Sequence, residues 1–201
     1  MMLVLFCQVD TGDRMDNSEA NPLADSLIYT ATLPLSWTPM DNNCPESEYV
    51  IVAEHNEHVL RCANLLGEQI REKVDEESET DSALMRLEAK VNLLLELVSK
   101  LGQRINQIPE AKQVRLASGG IEWITDSAPP AIGSSIWINL HIDNRIPEAM
   151  KIPARVLTLH EDLHGSGVGA KFEPLGEMVQ ELMEKMIFRH HRRMIAQSRA
   201  G

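Results

Sequence analysis

The sequence has few of the features that mark secreted or membrane proteins. Its three cysteines, Cys7, Cys44 and Cys62, are odd in number and form no C-x-x-C pair, which favours a reducing compartment over a disulfide framework. The apolar run at residues 1–7 is too short for a signal peptide or a membrane span. We therefore expect a soluble cytoplasmic protein that makes no use of a membrane.

Basic residues and catalytic motifs are also scarce. Lysine and arginine number 19 against 30 aspartates and glutamates, so the formal net charge is −11. Such an acidic chain is poorly suited to nucleic acid as its main partner. It contains no G-x-S-x-G pattern, no P-loop and no cysteine next to an obvious base. We expect no catalytic centre and no cofactor.

The 201 residues allow one elaborated domain or two small ones. The period of two at Ile136, Ile138 and Leu140, with glycine and proline between short strands, indicates a small barrel or sandwich. Leu3–Phe6 is a candidate edge strand, and Pro34 indicates an edge position or a bulge. The predicted segments are mostly loop at 1–26, a first strand at 27–40, a helical insertion at 45–108, further strands at 110–174 and a helix at 175–199.

The insertion is predicted to hold two helices, of which the second carries a heptad repeat. Its a and d positions are all apolar: Leu84, Leu87, Val91, Leu94, Val98, Leu101, Ile105 and Ile108. This strict 3.5-residue period predicts self-association, with a core separate from that of the barrel. Mostly β-branched a positions with mostly leucine d positions favour a parallel dimer. Leu93, Leu95 and Leu97 widen the stripe, which favours a higher oligomer or packing of the first helix on that flank.

One sequence matches a zinc-protease motif. His160, Glu161 and His164 fit H-E-x-x-H, in which two histidines on one helical turn bind zinc and the glutamate is the general base. Strand-like sequence precedes the motif and glycine-rich sequence follows it, so we predict a hairpin loop without metal. A zinc hydrolase is the alternative from a different functional class. His55 and His58 indicate a polar helix face.

A basic cluster, R-H-H-R-R at Arg189–Arg193, lies in the last predicted helix. Basic residues at the C-terminal end of a helix complement its dipole. We favour this structural interpretation over an anion-binding site.

The first strand and the second half of the chain resemble the PilZ domain family of small β-barrels, which commonly bind cyclic di-GMP. The resemblance rests on Leu33-Pro34 and Trp37, Val114–Trp123, the strand after Gly133, Ile152–Leu159, Val168–Phe172 and the closing I-F-R-H-H-R-R. It implies an α+β fold, a small antiparallel barrel with a long coiled-coil insertion and a C-terminal helix. The insertion resembles an atypical subclass that assembles into tetramers through a helical bundle, which implies a tetramer here.

The resemblance also gives two nucleotide motifs to compare. Family members that bind cyclic di-GMP carry R-x-x-x-R before the first strand, whereas residues 15–26 contain no arginine. In the second motif, D/N-x-S-x-x-G aligned on Gly120, Arg115 replaces the acid and Ala117 replaces the serine. We expect no cyclic di-GMP binding by the usual mode and a non-enzymatic regulator of an unidentified partner protein, in motility or virulence signalling. A receptor that uses Arg115 is the alternative.

Overall fold

The computed structural model describes residues 22–23, 26–41, 44–68, 87, 89–95, 97–98, 100–102, 108–162 and 165–198. Its strands are β1 (Tyr29–Pro39), β2 (Ala111–Ala117), β3 (Gly120–Thr125), β4 (Ser135–Leu140), β5 (Met150–Asp162) and β6 (Gly165–Phe172). Two helices are described over their whole given range: α1 (Glu46–Glu68) and α2 (Glu177–Ser198). The described residues from 87 to 102 are also helical. They belong to the heptad repeat, and residues 84–108 are called the heptad segment below.

The six strands form a closed antiparallel barrel in the order β1-β2-β3-β6-β5-β4. This confirms the predicted α+β class, the small barrel and the C-terminal helix. Pro34 was expected at an edge or a bulge, but β1 is paired along both halves. Tyr29 to Pro34 pair with β2, and Leu35 to Pro39 pair with β4. The N–H that proline lacks therefore falls where β1 changes partner, so the ladder tolerates it.

One hydrophobic core joins the barrel to the helices α1 and α2. Ile138 of β4, Leu60 of α1 and Met183 of α2 are fully buried in the same cluster. The first helix therefore shares the barrel core, because its apolar stripe faces the barrel. The described part of the heptad segment contributes no side chain to this cluster.

The element ends differ modestly from the sequence prediction. The described part of α1 ends at Glu68, and the predicted edge strand Leu3–Phe6 lies outside the described residues. α2 runs on to Ser198, so Arg189–Arg193 lie inside the helix and not at its end. Among the described helical residues, none forms a stretch long and apolar enough to cross a bilayer.

A buried asparagine anchors α1 to the barrel. The side chain of Asn56, 1% exposed, donates to the carbonyl of Lys151 at 2.8 Å and accepts from its N–H at 2.9 Å. The ammonium of Lys151 binds Glu48 of α1 at 2.8 Å and lies 4.3 Å from the centre of the Trp137 ring. The first half of α1 is thus fixed to β5 by directional contacts as well as by apolar burial.

We predict that Asn56→Ala lowers the free energy of unfolding by about 2–4 kcal/mol. The substitution leaves both Lys151 backbone groups without this partner, and a buried unsatisfied polar group costs about 1–3 kcal/mol. Urea unfolding followed by tryptophan fluorescence measures the change.

The matched control is Asn92→Ala, at an exposed helical asparagine. It carries the same gain in helix propensity and should change stability by less than about 1 kcal/mol. Equal effects of the two substitutions would contradict the anchoring role of Asn56.

Candidate functional site

The predicted nucleotide motif lies on β2 and at the start of β3. Arg115 and Glu122 are register partners, and a guanidinium nitrogen of Arg115 lies 2.5 Å from a carboxylate oxygen of Glu122. Both side chains are partly exposed, so the net strength of this ion pair is modest. The pair still neutralises the cation that the sequence offered as a phosphate ligand. It explains why an arginine is accommodated at this position of the barrel.

A shallow groove of about 430 Å³ covers this outer face of β2, β3 and β6. Its lining combines the Arg115–Glu122 pair with glycines that add no side chain, and includes Thr30, Gln113, His160, Gly167 and Gly169. The lining of the groove thus contains one arginine, whose positive charge is balanced by one glutamate. A cyclic dinucleotide carries two phosphates, which are best recognised by several guanidinium groups. The described lining supplies one guanidinium.

Gly120 has a close neighbour that the sequence did not indicate. A Cβ at this position would clash with the carbonyl oxygens of Pro22 and Ala170. A Cβ on Gly169 would also lie 3.0 Å from Cγ of Pro22. Pro22 therefore packs directly on the barrel face where the motif lies. Ala117, at the motif's serine position, is fully buried and is not accessible to a ligand in this arrangement.

The H-E-x-x-H sequence lies at the end of the β5–β6 hairpin. His160, Glu161 and Asp162 continue β5 and pair with Gly167, Ser166 and Gly165 of β6. The predicted hairpin is confirmed, with a shorter turn than the sequence suggested, and His164 falls outside the described residues. His160, Glu161 and Asp162 therefore lie on a strand and not on the helical turn that the zinc motif requires. In the described ranges, no three His, Cys, Asp or Glu side chains are grouped for a metal ion.

The heptad segment carries its apolar side chains on the surface of the chain. The described a and d residues are between 41% and 60% exposed: Leu87, Val91, Leu94, Val98 and Leu101. Leu84 and Ile105 lie outside the described residues. Ile108 is described and lies outside the residues that are helical. Pro109 follows it, and a proline disfavours helical geometry in the residue before it.

The basic cluster has a structural role, but with a different helix from the one expected. Arg189 donates to the carbonyls of Ala63 and Asn64, and Arg193 donates to that of Gly67. These carbonyls lie in the last described turns of α1. The cluster therefore complements the dipole of α1 and not that of its own helix.

Comparison with known proteins places this architecture in a family. The family model described as "Atypical PilZ domain, cyclic di-GMP receptor" matches residues 61–200. A search of curated proteins finds no match.

Several solved structures are similar. One is a pathogenic protein from Xanthomonas campestris, described as a new tetrameric PilZ domain self-assembled via an unusual helical bundle. It is 26% identical to this chain, with a TM-score of 0.67, and the match covers 90% of this chain and 95% of that one. The PilZ domain of YcgR from Escherichia coli with cyclic di-GMP is 15% identical over 44% of this chain and 76% of that one, with a TM-score of 0.37. The inhibitor of motility MotI/DgrA from Bacillus subtilis is 12% identical over 41% and 42%, with a TM-score of 0.37. Because the family model matches more than half of its length, the chain belongs to the atypical PilZ domain family.

Proposed function

We propose that this chain is a non-enzymatic regulatory or adaptor protein that forms a tetramer through its heptad segment. The observation that carries the proposal is the exposure of the described a and d side chains, at 41–60% in the single chain. Each Å² of apolar surface that stays exposed to water raises the free energy of the protein by roughly 25 cal/mol relative to its burial. A continuous stripe of this kind marks an interaction surface. Association of identical stripes would remove it from water.

The width of the stripe supports a tetramer over a dimer. Leu93 and Leu97 flank the a and d positions and are 56% and 49% exposed. In a two-stranded coiled coil both side chains would remain partly exposed to solvent. The first helix is not free to cover them with its main apolar face, because Val59 and Leu60 are buried in the barrel core. The protein from Xanthomonas campestris, described as a tetramer assembled through a helical bundle, supports the same assembly.

We further propose that the chain does not bind cyclic di-GMP through the usual motifs. Arg115 is matched by Glu122, Ala117 is buried and Pro22 packs over Gly120. A receptor function is the second candidate, because the family is described as cyclic di-GMP receptors and the groove of about 430 Å³ lies on the motif face.

The proposed output is contact with a partner protein. A tetramer would present four barrels joined by one bundle, and four copies of a weak site increase the apparent affinity for a multivalent partner. Cys44 and Cys62 are free thiols, which supports a reducing, cytoplasmic location. The link to motility or virulence signalling rests on family resemblance.

We predict that Leu94→Glu, alone or with Leu101→Glu, converts the tetramer to monomers. A buried charge repeated by symmetry would face identical charges in a dry core, which strongly disfavours assembly. Light scattering should give a mass near four times 22.5 kDa for the wild type and near 22.5 kDa for the variant. The far-ultraviolet strand signal should persist, because Ile138 and Val156 lie in the separate barrel core.

The matched control is Asn92→Glu, which adds the same charge at an exposed position beside the seam. It should remain a tetramer. A wild-type dimer would show that the a and d pattern outweighs the flanking leucines, and a wild-type monomer would remove the proposed assembly.

We predict no saturable binding of cyclic di-GMP at tens of micromolar, equivalent to a binding free energy weaker than about −6 kcal/mol. Isothermal titration calorimetry provides the measurement, with Glu122→Gln as a second sample in which Arg115 loses its anion. Micromolar binding by the wild type that disappears in Arg115→Ala would establish the receptor function instead.

We predict less than about 0.1 zinc per chain after purification in zinc-supplemented buffer, because His160 and Glu161 lie on a strand. His160→Ala, at an exposed position, should change stability by less than about 0.5 kcal/mol. Elemental analysis showing one zinc per chain that this substitution removes would support the hydrolase.

A further inference from the structure

Three arginines, two from α2 and one from the connection between β4 and β5, contact the last described turns of α1. Arg189 of α2 donates to two carbonyls at 3.0 and 3.2 Å, and Arg193 of α2 donates to a third at 2.6 Å. Arg145, from the connection between β4 and β5, reaches a fourth at 3.5 Å. The four acceptors are the carbonyls of Asn64, Ala63, Gly67 and Leu66, respectively.

The contacts complement the last described turns of α1. The carbonyls of a helix point toward its C-terminal end, where the dipole is negative and cations are favoured. Arg189 is only 9% exposed, and a buried guanidinium is stable only where acceptors surround it. Helix end and cation therefore depend on each other.

Gly67 permits the close approach of Arg189. A Cβ at Gly67 would lie 2.5 Å from Cζ of Arg189 and 2.6 Å from two of its nitrogens. A larger residue would force the guanidinium out of its position. The last turn of α1 is thus shaped to receive this side chain.

The arginines are in turn held to the barrel. The ring of His190 stacks on Tyr29 of β1, with the ring centres 4.3 Å apart. Asp143 binds Arg145 at 2.6 and 2.9 Å. Burial raises the pKa of Asp143, but its hydrogen bonds and its charge interaction with Arg145 outweigh this effect, so the pKa lies below its usual value. The carboxylate therefore stays ionised and keeps Arg145 in place.

The same connection between β4 and β5 also touches the heptad segment. A Cβ on Gly102 would lie 2.5 Å from Cβ of Pro147, so this helix passes very close to the connection that carries Arg145. The heptad segment lies between α1 and β2 in the chain. Contacts at α1 therefore act before the heptad segment, and the contact at Gly102 acts on the segment itself.

We propose that Arg145, Arg189 and Arg193, together with the Pro147–Gly102 contact, form an arginine clamp that fixes the angle of the heptad segment relative to the barrel. In the proposed tetramer, which this inference takes from the proposed function, the clamp sets how the four barrels are oriented around the bundle. It is a positioning device and leaves the self-associating surface itself unchanged.

Spin labels on one chain test the clamp. The native cysteines are replaced by serine, and labels are placed at Ala131 on the barrel and Asn92 on the heptad segment, both exposed. A small fraction of labelled chains is mixed with unlabelled chains, so that pulsed dipolar spectroscopy reports distances within one chain. We expect one narrow distance distribution for the wild type and at least a twofold broader one when Arg189→Ala and Arg193→Ala are combined.

Two further variants separate the clamp from other effects. Arg192→Ala removes a neighbouring arginine that lies 5.8 Å from the centre of the Phe188 ring, and it should keep the narrow distribution. Gly67→Ala leaves α2 intact and favours the helical conformation of α1, yet it displaces Arg189 and should broaden the distribution. Near-ultraviolet circular dichroism shows whether the double variant is folded. If it is unfolded, the single variants Arg193→Ala and Gly67→Ala decide the test of the clamp instead.

A broad wild-type distribution, or an unchanged width in folded clamp variants, would overturn the proposal. Light scattering on the same samples reports the oligomeric state independently. A wild-type monomer would thus count against the proposed tetramer, whereas the distance distribution still decides on the clamp.

Discussion

The structure depends on one constraint: the chain carries two apolar surfaces, and its described part buries only one of them. The inward residues of the barrel, α1 and α2 form a single core with buried side chains such as Trp123 and Met183. The described a and d residues of the heptad segment take no part in it and stay exposed. In the proposed tetramer, identical stripes of the other copies cover the second surface, because the hydrophobic effect acts on both surfaces alike. The exposure of the described stripe is therefore the basis of the proposed function.

Such an assembly is useful only if the barrel and the oligomerising helix keep a defined relation. The first helix, α1, lies in the barrel core and precedes the heptad segment in the sequence. Asn56 and Lys151 fix its first half, and the arginine clamp holds its last turn. These contacts are directional and polar, unlike the apolar burial around them. They fix the orientation of α1 and also add to stability, which suits the proposed scaffold for partner proteins.

Patterns with a short period were readable from the sequence, and contacts between distant residues were not. The alternation around Ile138 predicted the barrel strand, and the glycines after His164 predicted the hairpin. The helical nature of the described heptad residues also follows from their spacing. Nothing local indicated that Pro22 packs on Gly120, or that Arg189 binds the end of a helix more than 100 residues earlier in the chain. Those contacts depend on the closed barrel, which brings together segments far apart in sequence.

Native mass spectrometry of the full-length wild-type chain, at several protein concentrations, tests the central claim most directly. The account predicts one dominant species near four times 22.5 kDa that persists on dilution to the low micromolar range. It also predicts that this species binds no cyclic di-GMP when the nucleotide is added. A dominant species of 22.5 kDa at all concentrations would contradict the account, because the stripe from Leu87 to Leu101 would then be stable in water without a partner.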